Sequence, residues 1–238
     1  MKPKKLLTKD LSWDNIEDMT RRNRFKKMLK YLPYIKDGTG ADIGSHFTSY
    51  KFIKENCGLK KLIQINVLRS HCVKEDLIIA DVENGIPFKK NYFDFIFLGE
   101  ILEHMNNLDF ILEEVWRVLK PNGIALITTP NGANLYDRFM FLFGKLPQSY
   151  NISNKYFVDM PDGKTYKSTF EGHGHMKLFT IKALKELVEL NGFQVLATDS
   201  YWNSEKDRPL HIFRWMSQFF PKGLQEGIIM KIKKVGRK

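Results

Sequence analysis

Three histidines lie where the chain could transfer a proton or bind a metal. His104 follows Glu103 shortly after an apolar run, whereas His173 and His175 share a Gly-His-Gly-His turn. Imidazole titrates near neutral pH, so each is a candidate general base for an acceptor that must lose a proton, although a lone histidine is more often structural. His173 and His175 also suit a zinc pair, but no third ligand is evident nearby, and we predict no metal site.

Acidic residues lie in or just after three of the short apolar runs. Asp42 and Gly44 lie within the first run, 41–44, Asp81 directly follows the run 77–80, and Glu100 comes two residues after the run 93–98. Parallel α/β sheets bind ligands at the carboxyl ends of their strands. Carboxylates there accept charge-assisted hydrogen bonds, and glycine lets the backbone approach a ligand at a helix N-terminus. We therefore expect the functional site at this edge of a sheet.

Apolar runs and helical patterns alternate along the chain. The runs that predict strands are 41–44, 61–67, 77–80, 93–98, 124–128, 193–198 and 227–235. Helical patterns lie between most of them, which favours parallel pairing with helices on both faces. The fold class predicted is α/β: a Rossmann-like seven-stranded, mostly parallel sheet with an N-terminal helix and a helical or loop insertion after strand five.

The ends and the long connection complete the predicted organisation. Apolar spacing predicts an amphipathic helix over residues 12–35, a helix over 180–190 capped by Thr180 and stopped by Asn191-Gly192, and a further helix over 210–220. We predict a single domain over 1–238, in which 1–38 is an N-terminal helical extension. Residues 134–175 form a predicted lid or acceptor-side insertion, since long connections in compact domains often bind ligands.

An aromatic stretch opens this insertion. Helical spacing places Leu135, Phe139, Leu142 and Phe143 on one face. Core packing, an apolar lid over an acceptor, and contact with a lipid surface all account for such a face. The sequence leaves the three interpretations open.

Motifs spread over about residues 40 to 200 occur in a recognisable order. They are Ala41-Asp42-Ile43-Gly44-Ser45, Ile79-Ala80-Asp81-Val82-Glu83, Pro87-Phe88, Phe93-Asp94, Glu100-Ile101-Leu102-Glu103-His104, Arg117-Val118-Leu119-Lys120-Pro121-Asn122-Gly123, Thr129-Pro130-Asn131, Gly174-His175-Met176-Lys177-Leu178-Phe179-Thr180 and Asn191-Gly192-Phe193. Together they resemble the class I S-adenosylmethionine-dependent methyltransferases, in particular the broad small-molecule group often labelled type 11.

The resemblance implies S-adenosylmethionine as cofactor, S-adenosylhomocysteine as product, and a role for each strand end. Asp42 is expected to accept from the methionine amino group, and Asp81 from the adenine amino group. The Val82 N–H would face an adenine ring nitrogen. Asn66 stands where the family usually has an acid that binds both ribose hydroxyls, and an amide can still pair with them.

The same resemblance places the segment from Leu98 through Gly99 to Glu100 beside the methionine part of the cofactor and the acceptor pocket. On this basis Glu100 is a predicted cofactor-binding residue. His104 and His175 are the predicted catalytic residues.

The loop after the first strand departs from the family pattern. The family usually has glycines at alternating positions, whereas here Gly44 is followed by Ser45, His46, Phe47 and Thr48. Either the Ser45 and Thr48 hydroxyls substitute for close backbone approach, or cofactor binding is weakened or lost. We predict that binding is retained and that both hydroxyls take part.

Composition limits the partners and the compartment. The net charge of +11 is concentrated towards the ends of the chain, and it fits either a solvated surface or a face that binds phosphates, acidic glycans or lipid headgroups. No apolar run is long enough to span a membrane, and Cys57 and Cys72 show no metal-ligand spacing. We expect a cytoplasmic protein without a membrane span, for which peripheral membrane contact stays open.

The predicted function is methyl transfer to a small-molecule, glycan or lipid-linked acceptor, which the basic surface allows to be anionic. A non-catalytic binding or scaffold protein with a degenerate cofactor loop is the main alternative. An NAD-dependent oxidoreductase would need a Gly-rich phosphate loop that is absent here. A nucleic-acid methyltransferase is disfavoured because no aromatic residue follows Pro130 and no nucleic-acid module is recognisable.

Overall fold

The computed structural model describes residues 19–147, 149–150, 152–153, 155–159, 165–167, 174–202 and 219–236. Within these residues the strands are β1 (Thr39–Ile43), β2 (Lys61–Asn66), β3 (Leu77–Ile79), β4 (Phe93–Gly99), β5 (Leu119–Pro130), β6 (Tyr156–Phe157), β7 (Tyr166–Lys167), β8 (Phe193–Tyr201) and β9 (Gly227–Lys234). The helices are α1 (Met19–Met28), α2 (Phe47–Asn56), α3 (Leu108–Val118), α4 (Leu135–Leu142) and α5 (Ile181–Leu190).

Seven of the strands form one sheet in the order β3-β2-β1-β4-β5-β9-β8. The first five strands pair in parallel, whereas β9 runs antiparallel to both β5 and β8. The strand order reverses direction between β1 and β4, since the chain builds outward from β1 to β3 and then returns to start again at β4. Ligands of open α/β sheets bind at such a switch point, so the fold directs attention to the carboxyl ends of β1 and β4.

Helices cover both faces of this sheet, as predicted. On one face, Phe25 and Met28 of α1 pack with Phe52 and Ile53 of α2 against strand residues such as Phe95. The core on the other face includes four buried side chains of α3 and two of α5, and these are Ile111, Leu112, Val115, Val118, Leu184 and Val188. Burial on both faces explains why the central strands read as continuous apolar runs rather than alternating ones.

One predicted helix boundary differs from the structure. The helix predicted over 12–35 ends at Met28 and is followed by turns at 29–31, and Pro33 then disfavours the α conformation at Leu32. Its predicted start lies outside the described residues, as does nearly all of the helix predicted over 210–220. The helix at 180–190 is confirmed: Thr180 accepts from the Ala183 N–H at 3.1 Å, and the helix ends at Leu190.

The aromatic stretch forms α4, but its predicted apolar face does not pack into the core. Asn134 caps the helix by accepting from the Asp137 N–H at 2.8 Å, and Tyr136 and Met140 are its buried apolar side chains. Phe139, Leu142 and Phe143 are exposed instead. Core packing is therefore the wrong interpretation for these three side chains. None of the helices in the described part of the chain is long and apolar enough to cross a bilayer.

Candidate functional site

The carboxylate at the end of β1 is fully buried and held by two hydroxyls. Asp42 is 1% exposed, and its Oδ2 accepts from Ser45 Oγ at 2.8 Å and from Ser49 Oγ at 2.7 Å. Burial raises the pKa of Asp42 to about 7, although both hydroxyl bonds and the nearby charge of Arg24 act to lower it. A carboxyl group in this state binds a cationic ligand readily, because the ligand's charge offsets the cost of ionisation.

The loop after β1 keeps a single turn glycine and then caps a helix. Gly44 has φ +71°, a conformation that favours glycine, and a Cβ there would stand 2.8 Å from Cδ1 of Ile101, so the Ile101 side chain would have to shift. His46 caps α2. Its ring accepts from the Thr48 backbone N–H at 3.4 Å, and its backbone N–H donates to Ser49 Oγ at 3.1 Å. The ring Nδ1 lies 2.9 Å from Thr48 Oγ1.

Glu100 sits directly after β4 in a strained backbone conformation. Its φ is +54°, which is uncommon for a residue other than glycine and is frequent at functional sites. Glu100 Oε1 lies 3.0 Å from Nη1 of Arg24 and accepts from the Tyr201 hydroxyl at 3.0 Å. The carboxylate is thus fixed beside the switch point by one residue from α1 and one from the end of β8.

Arg24 is the buried cation of this site. It is 9% exposed, and its Nε is buried without a hydrogen-bond partner. The carboxylate of Glu100 raises the pKa of Arg24 against the opposing effect of burial, so the guanidinium stays charged. A buried unpaired N–H of a charged group is costly, and a carboxylate ligand would satisfy it.

The ends of β2 and β3 place the other predicted residues at the same edge. The Asn66 amide donates to the Ser45 carbonyl at 2.7 Å, and its oxygen accepts from the Leu68 N–H at 3.0 Å, so it supports the loop after β1. Asp81 is exposed and caps a 3-10 turn by accepting from the Glu83 N–H at 3.0 Å. Val82 is buried next to it.

Two of the predicted catalytic residues are brought together. The rings of His104 and His175 lie 4.8 Å apart between centroids, nearly perpendicular to each other. Burial and the neighbouring His104 lower the pKa of His175, although the charge of Glu100 and a hydrogen bond with the Ser149 backbone act to raise it. His173 lies outside the described residues.

Sequence reasoning missed Arg24 and Tyr201, the two partners of Glu100. Arg24 stands in a run of basic residues whose charges look like a solvated helix face, and only its neighbour Phe25 belongs to the apolar pattern. Tyr201 closes a strand whose end was predicted at residue 198. No local signal marks either residue, since each reaches Glu100 only through the tertiary fold.

Part of the chain is similar to known methyltransferases. Residues 40–127 match the family model described as a methyltransferase domain. An uncharacterised protein of Methanocaldococcus jannaschii is 31% identical over 115 residues, which are 48% of this chain and 50% of that protein. A ubiquinone/menaquinone biosynthesis C-methyltransferase of Desulfotalea psychrophila is 36% identical over 66 residues, which are 26% of this chain and 27% of the enzyme. The chain thus spans half or less of these two curated relatives.

The fold is shared with solved methyltransferases over nearly the whole chain. The crystal structure of an S-adenosylmethionine-dependent methyltransferase from Archaeoglobus fulgidus superposes with a TM-score of 0.58 at 15% identity, covering 89% of this chain and 91% of that one. Sheet, site and family model together define a Rossmann-like cofactor-binding domain. Residues 40–127 match a methyltransferase domain, and the chain has the fold of solved S-adenosylmethionine-dependent methyltransferases.

The residues present fit the cofactor of this family. The methionine part of S-adenosylmethionine carries an amino group, a sulfonium and a carboxylate, so it needs two negative groups and one positive group within a short distance. Asp42 and Glu100 supply the negative charge, and the buried Arg24 with its unpaired Nε supplies the positive one. The altered loop does not remove these groups.

Proposed function

We propose that this chain transfers the methyl group of S-adenosylmethionine to a small-molecule acceptor, at the carboxyl ends of β1 and β4. The observation that carries the proposal is the juxtaposition of Asp42, Glu100 and Arg24 at the switch point of the sheet. This arrangement complements a zwitterion with an additional positive charge and lacks the Gly-rich anion loop that a dinucleotide would need. The decayed-scaffold alternative is disfavoured because a buried charge cluster without a ligand only costs stability.

Cofactor binding assigns a role to each member of the cluster. Asp42, already ordered by Ser45 and Ser49, accepts from the methionine amino group, while Arg24 binds the carboxylate. Glu100, held by Tyr201, lies beside the sulfonium and the acceptor. When bound, the cofactor supplies an electrophilic methyl group, and the chain's residues align it, exclude water and fix the direction of attack. Asn66, Asp81 and Val82 are proposed to contact the adenosine, and Gly99 the methionine part.

The acceptor is proposed to have an apolar portion. Phe139 and Leu142 of α4 and its C-cap residue Phe143 are exposed, and α4 follows the carboxyl end of β5. The relatives include enzymes named for ubiquinone/menaquinone biosynthesis and for the methylation of demethylmenaquinone. A quinone-like or lipid-linked small molecule therefore fits this surface better than a nucleic acid. An acidic group on the acceptor would fit the basic exterior.

Calorimetric titration tests the cofactor assignment. Purified protein is titrated with S-adenosylhomocysteine and, separately, with NAD. We expect one molecule of S-adenosylhomocysteine per chain and no heat with NAD. Heat with NAD alone would overturn the assignment, and the absence of heat with both ligands would favour the scaffold alternative.

A matched pair of variants on α1 sharpens this test. Arg24→Gln should weaken S-adenosylhomocysteine binding by about 2 kcal/mol, roughly 30-fold, because it removes a charged hydrogen-bond donor. Lys27→Gln removes a cation one turn away that lies 3.8 Å from Asp199, and it should leave affinity unchanged. Equal effects of the two substitutions would show that Arg24 contributes only general charge.

A further inference from the structure

A second cluster of polar side chains lies next to the proposed cofactor site and takes no part in it. Glu103 and His104 belong to the 3-10 turn Leu102–His104 after β4, and His175 belongs to the segment that precedes α5. One ligand atom of each residue lies within 4.8 Å of the other two. This spacing is what three ligands around one ion require once small side-chain rotations are allowed.

The fold holds these three residues together by contacts that do not depend on an ion. The Glu103 carbonyl accepts from the Met176 N–H at 2.9 Å and from the Lys177 N–H at 3.2 Å, so the segment carrying His175 is fixed to the turn. Thr129, near the end of β5, donates to Glu103 Oε2 at 3.0 Å. The site is thus built from two separate parts of the chain, the 3-10 turn after β4 and the segment that precedes α5.

One oxygen in this cluster lacks a partner. Glu103 is 0% exposed, and its Oε1 is buried without any hydrogen bond. Glu100, a second carboxylate, acts on it electrostatically, which makes an ionised Glu103 still harder to keep without a cation. Buried native carboxylates are normally paired or coordinate a metal. The charge of Arg24 also acts on Glu103, but the guanidinium forms its ion pair with Glu100, at 3.0 Å, and makes no hydrogen bond to Glu103 Oε1.

His175 has the arrangement expected of a metal ligand. It makes a hydrogen bond with the Ser149 backbone that favours the protonated ring. An imidazole N–H that donates to a carbonyl has this effect. Metal-binding histidines commonly donate one ring N–H to a carbonyl or carboxylate, which turns the other nitrogen towards the ion. The centroid of the His104 ring lies 4.8 Å from that of His175, and a carboxylate oxygen of Glu103 lies within 4.8 Å of a nitrogen of each ring.

We propose that Glu103, His104 and His175 bind one divalent transition-metal ion. Two imidazoles and one carboxylate suit Zn²⁺, Mn²⁺, Co²⁺ or Fe²⁺ better than Mg²⁺, which prefers oxygen ligands. Three protein ligands leave a coordination position open. This step rests on the proposed function: an acceptor that occupies the open position needs an oxygen donor near the methylated atom. The proposal departs from the sequence-based prediction of no metal, because Glu103 and His104 are remote from His175 in the chain.

Metal titration of the full-length chain tests the proposal. Protein freed of its purification tag and of metal by chelation is titrated calorimetrically with Zn²⁺ and Mn²⁺, and Co²⁺ absorption spectra report the coordinating groups. We expect one ion per chain. His175→Asn and Glu103→Gln should each weaken binding by at least about 10-fold, the loss typical even of outer-sphere partners. His71→Asn is the matched control, since His71 also faces a second histidine, His46, at 6.0 Å but without a carboxylate in the group.

Each outcome decides the matter. Absence of binding at high micromolar metal, or equal affinity in wild type and the His175→Asn variant, overturns the metal site. If Glu103→Gln does not fold, His175→Asn alone decides, because its side chain is partly exposed. Titration with S-adenosylhomocysteine runs in parallel. Metal binding without cofactor binding would uphold this site and reject the proposed function. Cofactor binding without metal binding would uphold the proposed function and reject this site.

Discussion

Asp42 carries the clearest electrostatic signature at the level of single residues. Its carboxyl group is buried, so the folded protein holds its proton more tightly than the unfolded chain does, and the pKa rises to about 7. The stability that this proton contributes is complete below the unfolded pKa and is lost as the pH rises through about 7. A cationic ligand reverses the effect, because it favours the ionised form.

The free energy of unfolding of the ligand-free protein should therefore fall between pH 4 and 7, with Asp42 contributing about 1.4 kcal/mol per pH unit. Asp42→Asn should flatten this slope, while the surface variant Asp76→Asn should keep it. Denaturant unfolding at pH 5 and pH 7 measures both. Glu103, whose pKa burial also raises, contributes a slope of the same sign, so some dependence remains. An unchanged slope in Asp42→Asn would contradict the account of its burial.

Asp81 tests the placement of the adenine. Asp81→Ala should weaken S-adenosylhomocysteine binding by about 1 to 3 kcal/mol through the lost hydrogen bond. Asp81 is exposed and caps a 3-10 turn in the ligand-free structure. We therefore expect a loss of binding free energy in the lower part of this range. Asn84→Ala removes the donor to Asp81 Oδ2 at 3.1 Å and serves as control. An unchanged dissociation constant for Asp81→Ala would refute the adenine position.

Residue types at strand ends could be predicted from the sequence, whereas their partners could not. Asp42, Asp81 and Glu100 lie in or just after apolar runs, so their position at one edge was accessible from the order of elements alone. Arg24 and Tyr201 reach Glu100 from the first helix and the edge strand, at separations that no local pattern encodes. The approach of His175 to Glu103 and His104 was missed for the same reason.

The element that follows the proposed metal cluster is fixed by its cap. Thr180 begins α5 and ends the segment that carries His175. Thr180→Ala should lower the free energy of unfolding by about 1 kcal/mol, because the Ala183 N–H loses its acceptor. Denaturant unfolding measures the loss, with Lys182→Ala on the exposed face of α5 as a control expected to change little. Equal stability in Thr180→Ala would show that the cap contributes nothing to α5.

Strands and capped helices were predictable because burial on both faces and cap residues are local signals. The strand β5 was predicted from residue 124 but begins at Leu119, where Lys120, Pro121 and Asn122 give no apolar pattern. The apolar face of α4 was misread in part because exposed aromatic residues keep the same spacing as buried ones. Periodicity reports which side chains share a face, and it does not report what covers that face.

At the scale of the whole molecule, the exposed apolar residues of α4 form a surface without an evident core role. Leu142 and Phe143 are 77% and 65% exposed. Leu142→Ser and Phe143→Ser should each change the free energy of unfolding by less than about 0.5 kcal/mol, whereas Met140→Ala, at a buried position, should cost about 2 kcal/mol or more. Thermal unfolding tests the contrast. Large losses for the two serine variants would mean that other parts of the chain cover this surface.

The sheet as a whole concentrates the charged groups at one edge, and this edge supports the central claim. The most direct measurement is a crystal structure of the protein with S-adenosylhomocysteine. We predict the methionine amino group within hydrogen-bonding distance of Asp42 and its carboxylate on Arg24, beside Glu100. If crystals grown at saturating S-adenosylhomocysteine showed no ligand at the carboxyl ends of β1 and β4, and His46 and Phe47 filled that space, the account would be contradicted.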